Sequence, residues 1–160
     1  MLICKKLNIF DSGAEALVNP VNCMGIMGAG LALQFKNKFR RNFDEYRRAC
    51  FRGEVQIGRM FVTETGLDKP KYIINFPTKR AWWDKSRLEW IEAGLSDLAH
   101  IIRFLKIKSV AVPMLGCGFG GLGKDAVKAS IKRALSDLED TDVFLIEEEG
   151  KNEGFPVSGS

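Results

Sequence analysis

The chain predicts an α/β fold, a mixed central sheet with helices on both faces, on three observations. Short runs rich in Val, Ile, Leu and Phe alternate with longer segments of helical periodicity. The first two such runs lie too close in sequence for a helical crossover, which calls for a sheet that is not wholly parallel. Twice, a glycine-rich loop follows a strand and precedes a helix, and open sheets of this kind gather ligands at the carboxyl ends of their strands.

Strands are expected at 2–7 (LICKKL), 16–20 (ALVNP), 59–64 (RMFVTE), 72–76 (YIINF), 109–114 (SVAVPM) and 142–147 (DVFLIE). A first helix follows the first glycine loop, where Phe35, Phe39, Phe43, Tyr46 and Cys50 recur every three or four residues. A second, over 86–105, carries the stripe Leu88, Ile91, Leu95, Leu98, Ile102 and Leu105, and a third, over 124–138, carries Val127, Ile131, Leu135 and Leu138. All three stripes are assigned to the core. Residues 1–147 are expected to form one domain, and the polar, Gly- and Ser-bearing stretch 148–160 a flexible tail, a linker or an expression remnant.

A length of 160 residues suits one domain, and 46% hydrophobic with 28% charged residues is ordinary for a globular protein. The net charge of +4, from 24 basic and 20 acidic residues, is too mild to mark a general nucleic-acid binder. Two segments concentrate positive charge. KNKFRRNFDEYRR (36–48) reads as a solvated helix face, whereas TKRAWWDKSR (78–87) interleaves cations with Trp82 and Trp83, a combination suited to phosphates and stacked bases. Four scattered cysteines, with neither a C-x-x-C pair nor a secretory signal, fit the reducing cytoplasm. The single histidine, His100, has no companion ligand, so no metal site is expected. No apolar run reaches the roughly 18 residues needed to span a bilayer.

The first glycine loop lies within NPVNCMGIMGAGLALQFK (19–36), where Gly25, Gly28, Ala29 and Gly30 cluster before a helix. The second is LGCGFGGLG (115–123). Either alone is equally a tight turn. Together they offer two sets of backbone N–H groups at helix starts, enough to hold a diphosphate between them. Neither matches G-x-x-x-x-G-K-[ST], nor a G-x-G-x-x-G unit with its downstream acid. Cys117 has no nearby histidine in sequence and is read as small-residue packing.

LVNPVNCMGIMGAGLA (17–32) with VPMLGCGFGGL (112–122) resembles the macrodomains, a family of three-layer α/β/α folds that bind ADP-ribose. IINFPTKRAWWDKSRLEWIEAGL (73–95) resembles the macrodomains of DarG-type antitoxins, DNA ADP-ribosyl glycohydrolases that reverse the modification made by DarT toxins. The resemblance spans about residues 2–147. It implies that Lys79 is catalytic and that Asn22 meets the distal ribose. It further implies that Gly28, Ala29 and Gly30 pass close to that ribose and the diphosphate, and that Gly118, Phe119, Gly120, Gly121 and Leu122 wrap the phosphates. Ile9, Asn19, Leu31, Thr78, Gly116 and Cys117 would complete the ADP-ribose site. Asn8 stands where many macrodomains place an adenine-binding aspartate. Arg80, Trp82 and Trp83 would contact DNA.

The expected substrate is ADP-ribosylated single-stranded DNA, with thymine the modified base, and the expected partner a DarT-like toxin. No cofactor is expected, and a monomer is the default. One rival is removal of ADP-ribose from protein glutamate. Enzymes of that branch are expected to carry an acid in the second loop, where this chain has Gly120. The other rival is a binding module that reads ADP-ribose without turnover.

Overall fold

The structure is a computed structural model and describes residues 1–147. The expected tail, 148–160, lies outside the described residues. Six strands form one sheet: β1 (Leu2–Lys6), β2 (Ala16–Val21), β3 (Phe61–Glu64), β4 (Tyr72–Pro77), β5 (Ser109–Val112) and β6 (Asp142–Glu147), in the order β1-β6-β5-β2-β4-β3. Four helices accompany them: α1 (Gly30–Lys38), α2 (Arg40–Phe51), α3 (Leu88–Leu105) and α4 (Lys124–Leu135).

The sheet is mixed, for a different reason from the one expected. β1 and β2 do not pair; both run parallel to the sheet's main direction, with β6 and β5 between them. Their short link is a 3-10 turn at Ile9–Asp11, whose Ile9 and Phe10 pack onto the sheet. The antiparallel pair is β3 with β4 at the sheet edge.

Side chains alternate between faces with the period of two that a strand imposes. Val18, Ile74, Phe76, Val110, Val112 and Val143 meet α3 and α4 in the main core, through Ile91, Leu95, Leu98, Val127 and Ile131. Leu17, Ile73, Ala111 and Ile146 face the other way, against the 3-10 turn and Phe35 of α1. A third cluster joins Val21 and Met27 to Phe43, Tyr46 and Ala49 of α2. The layers are therefore α/β/α.

The single helix expected after the first glycine loop is two. Phe39 leaves the helical region (φ −131°, ψ 69°), so Phe35 and Phe39 cover one cluster while Phe43 and Tyr46 turn into another. One apolar stripe thereby serves two pockets of core. The second helix starts at Leu88 rather than at residue 86, because Arg87 before it is extended (φ −121°, ψ 142°); the backbone N–H of Ser86 donates instead to the carbonyl of Gly120 at 3.0 Å.

The sheet order places the site. β5, β2 and β4 are adjacent and parallel, so their carboxyl ends share one edge of the sheet. The first glycine loop leaves β2, the Lys79 segment leaves β4, and the second glycine loop follows β5. Gly94 of α3 fixes the depth of β4: a β-carbon there would stand 2.3 Å from the ring of Phe76, so only glycine lets helix and strand approach this closely.

Candidate active site

The pairing of β2 with β4 continues beyond both strands. The N–H of Thr78 donates to Val21 O at 2.9 Å, and the N–H of Cys23 donates to Arg80 O at 2.9 Å. The first glycine loop and the Lys79 segment are thus joined by backbone hydrogen bonds on either side of Lys79. The Cys23 thiol also lies 3.7 Å from Lys79 O; burial pushes that thiol up to about 11, so it stays protonated near neutrality.

Asn22 organises the first loop. Its Oδ1 accepts from the N–H of Met24 at 2.9 Å, and its Nδ2 donates to Ile26 O at 2.9 Å. The Tyr46 hydroxyl donates to Asn22 O at 2.7 Å. Burial raises the Tyr46 phenol far above its usual value, so it remains a donor. Beyond this anchored turn, Gly28, Ala29 and Gly30 are exposed at the start of α1.

Beneath the loop lies an interior amide network. Register sets Asn19 of β2 opposite Asn75 of β4, and both are fully buried. Asn75 Oδ1 accepts from Asn19 Nδ2 (3.1 Å) and Asn42 Nδ2 (3.2 Å), while Asn75 Nδ2 donates to Asn42 Oδ1 (2.8 Å) and Phe61 O (3.0 Å). Thr63 closes the network by donating to Asn42 Oδ1 at 2.6 Å. Apart from Asn19 Oδ1, which is buried without a hydrogen-bond partner, the amides of this network are satisfied, and a network of this kind rigidifies the sheet end that carries the site.

Lys79 is half-buried between the loops. Its ammonium pKa is lowered, first by desolvation and then by the positive charge of Lys85, with Asp84 opposing. A larger fraction of neutral amine results, which is the form that can attack an electrophilic carbon or take a proton. The segment then turns at 81–84, where the N–H of Ala81 donates to Asp84 Oδ2 at 3.0 Å. Trp82 and Trp83 are 56% and 63% exposed and meet edge to face at 5.4 Å, so two large aromatic surfaces stand in solvent beside the site. Arg80 and Arg87 both lie against Trp90, at 5.2 and 4.9 Å from its ring centre.

The second glycine loop is shaped from within. Leu122 N–H donates to Gly116 O (2.9 Å) and Gly121 N–H to Gly118 O (3.2 Å). Two of the N–H groups expected to wrap phosphate are therefore turned inward, while those of Cys117, Gly118, Phe119 and Gly120 have no acceptor among the described residues. A β-carbon at Gly120 would stand 2.4 Å from Ser86 Oγ and 2.5 Å from Gly116 O. No side chain fits there. Burial raises the Cys117 thiol, in keeping with a packing role.

The expected residues separate into two groups. Lys79, Gly28, Ala29, Gly30, Gly118 and Phe119 converge on one exposed edge, where the Phe119 ring reaches across to Gly30. Asn19 does not: it is fully enclosed and its amide belongs to the interior network. The Thr78 hydroxyl is likewise buried on Val21 O, and the Ile9 and Leu31 side chains pack on the core. Asn8 is exposed, but its Oδ1 already accepts from Phe10 N–H at 3.0 Å as the cap of the 3-10 turn. Sequence reading missed Tyr46 as the anchor of Asn22, Ser86 as the wedge in the second loop, and Trp90 under the two arginines. Only Trp90 left a local trace, three residues after Arg87 on a helix start. A depression of about 330 Å³ between α3 and α4 lies away from these loops.

Comparison with known proteins gives this architecture its class. The Macro domain family profile matches residues 18–131, and the chain belongs to the macrodomain family. It is similar to the macrodomain of Mycobacterium tuberculosis DarG (49% identity, TM-score 0.91, covering 93% of this chain and 99% of that one). It is also similar to the macrodomain of Thermus aquaticus DarG (49% identity, TM-score 0.89, covering 92% and 98%). Among curated proteins it is 52% identical over 139 residues to the DNA ADP-ribosyl glycohydrolase of M. tuberculosis, covering 86% of this chain and 40% of that protein. The T. aquaticus protein of the same description is 50% identical over 141 residues, covering 88% and 39%. The chain thus spans about 40% of the length of these curated relatives.

Proposed function

We propose that the chain hydrolyses the N-glycosidic bond joining ADP-ribose to a base of single-stranded DNA, thymine being the expected base. The observation that carries this reading is Lys79: a half-buried lysine of lowered pKa, held by backbone hydrogen bonds between two glycine loops. The similarity to proteins described as DNA ADP-ribosyl glycohydrolases supports the choice of DNA. So does Gly120, where no acidic side chain can be housed.

In this reading the exposed N–H groups of the second loop and the helix starts of α1 and α4 hold the diphosphate. Asn22 presents its remaining amide hydrogen toward the distal ribose. Lys79 acts at the anomeric carbon that bears the base, as a neutral amine that attacks the carbon or takes a proton from water. Water supplies the hydroxyl left on ADP-ribose and the proton returned to the base. Fixed dipoles stabilise the cation-like sugar of the transition state. Trp82 and Trp83 stack neighbouring bases, and Arg80 meets the backbone.

The relative from Thermosipho africanus is a fused DNA ADP-ribosyl transferase and glycohydrolase, which supports a DarT-like transferase as the source of the substrate. The same reading has the chain working in the cytoplasm as a monomer.

The experiment is release of ADP-ribose from thymine-modified single-stranded DNA and from glutamate-modified protein, by wild type and Lys79→Ala. Turnover of DNA that is lost in the variant is the expected result. Turnover of the protein alone would move the chain to the glutamate branch. Tight binding of ADP-ribose with no release from either substrate would leave a reader module.

A further inference from the structure

The Lys79 segment carries a second lysine, and its placement is specific. The Lys85 side chain lies along the second glycine loop: its Cδ, Nζ and Cε come within 3.4, 3.6 and 3.9 Å of the position a β-carbon would take on Gly121. Gly121 has φ +78°, a conformation glycine adopts without strain. Among the described residues, Lys85 is exposed and forms no ion pair, although seven such pairs occur elsewhere. The next residue, Ser86, is 6% exposed, and its hydroxyl is buried against Gly116 and Gly120 with no hydrogen-bond partner. A free ammonium and an unpartnered hydroxyl therefore sit on a loop whose outward N–H groups also lack acceptors among the described residues.

We propose that Lys85 is a phosphate-binding residue of this site, seated on Gly121 so that its ammonium meets an anionic phosphate brought to the second glycine loop. The glycine loops supply only partial charges from backbone dipoles, and a full positive charge raises both affinity and geometric definition. Two sources of that phosphate share the chemistry, the diphosphate of ADP-ribose and the backbone of the strand that carries it. Lys85 also acts on Lys79 through space. The charged groups facing Lys79 are Lys85 and Asp84, with Arg80 following it in the chain and the Cys23 thiol beneath its carbonyl. Loss of Lys85 removes the one cation that opposes protonation of Lys79.

The proposal rests on the ADP-ribose reading above but is tested by binding as well as by turnover. Lys85→Gln and Lys85→Arg are compared with wild type for ADP-ribose affinity by calorimetry, for kcat and KM on modified single-stranded DNA at several salt concentrations, and for the pH profile of kcat/KM. About tenfold weaker binding of free ADP-ribose in Lys85→Gln, largely restored in Lys85→Arg, identifies the diphosphate as the ligand. Unchanged ADP-ribose affinity with a raised KM on DNA and a shallower salt dependence identifies the strand. In either case the rising limb of the pH profile moves upward in Lys85→Gln and returns in Lys85→Arg. Wild-type values in Lys85→Gln for affinity, KM and pH profile overturn the proposal, as does a loss that arginine does not restore. If wild type binds ADP-ribose but releases none, the hydrolase reading fails while the affinity comparison still decides the role of Lys85.

Discussion

The Phe119 ring lies 3.1 Å from where a β-carbon on Gly30 would stand, so the two glycine loops touch through one aromatic edge and one missing side chain. Gly30 also has φ +57°, so alanine there is strained as well as crowded. Gly30→Ala is expected to cost about 1 kcal/mol of stability. It should also weaken ADP-ribose binding by more than the stability loss explains. Calorimetric affinity beside a urea midpoint separates the two effects, and unchanged affinity would show that the loops need not meet.

Gly120→Glu tests whether substrate choice can be moved by one residue. The new side chain meets Ser86 Oγ and Gly116 O at distances no β-carbon tolerates, and Gly116 O is backbone. The loop must rebuild to accept it. The variant is expected to lose stability and ADP-ribose binding together and to gain no release of ADP-ribose from glutamate. Gain of that activity with a retained urea midpoint would contradict the packing argument.

Lys79 should give a rising limb in kcat/KM against pH, with its midpoint below the ordinary lysine range, because burial and Lys85 favour the neutral amine. The same displacement affects stability. Between the folded and ordinary values the unfolded chain holds more protons than the native one, so stability rises with pH across that window. Below the window the charged, partly buried ammonium is a constant penalty. Lys79→Met is therefore expected to unfold at higher urea than wild type at pH 7, with the gap closing toward high pH. Equal midpoints throughout would show that Lys79 is fully solvated.

Trp90 holds Arg80 and Arg87 from below, yet it belongs to neither glycine loop. Trp90→Leu should leave the affinity for free ADP-ribose within twofold of wild type while raising KM for modified DNA several-fold, with a weaker salt dependence. Equal effects on both ligands would place Trp90 in the fold rather than in strand recognition.

Asn75 is the hub of the buried amides. Asn75→Leu leaves the Asn19 and Asn42 amides without their shared acceptor and is expected to cost about 3 kcal/mol. A urea titration measures it. A change below about 0.5 kcal/mol would mean that the network adds little to stability.

The strands were legible because β-branched and aromatic runs are short and bounded. All six were anticipated, within two residues at either end. The break at Phe39 was not, because a phenylalanine four residues after Phe35 extends the apolar stripe as well in two helices as in one. Both glycine loops could be read from local pattern, whereas Lys79 was singled out only by the resemblance of its segment to the DarG-type macrodomains. The enclosure of Asn19 could not: it depends on register with Asn75, a contact across 56 residues of chain. The seats of Lys85 and Ser86 on the second loop likewise exist only in three dimensions, and in sequence both were simply part of a basic stretch.

Arg80 and Ser86 are the two ends of a strut. At one end Arg80 O takes the N–H of Cys23; at the other, the N–H of Ser86 reaches Gly120 O. The residues between them set how far apart the jaws stand, much as a spacer sets the opening of a clamp. Shortening or lengthening this strut would alter the width of the bite before it altered any side chain within it. The turn bearing Trp82 and Trp83 is thus also the gauge of the gap between the two glycine loops, and on the proposed function a chain that exchanged this turn for another would change what it grips along with what it stacks.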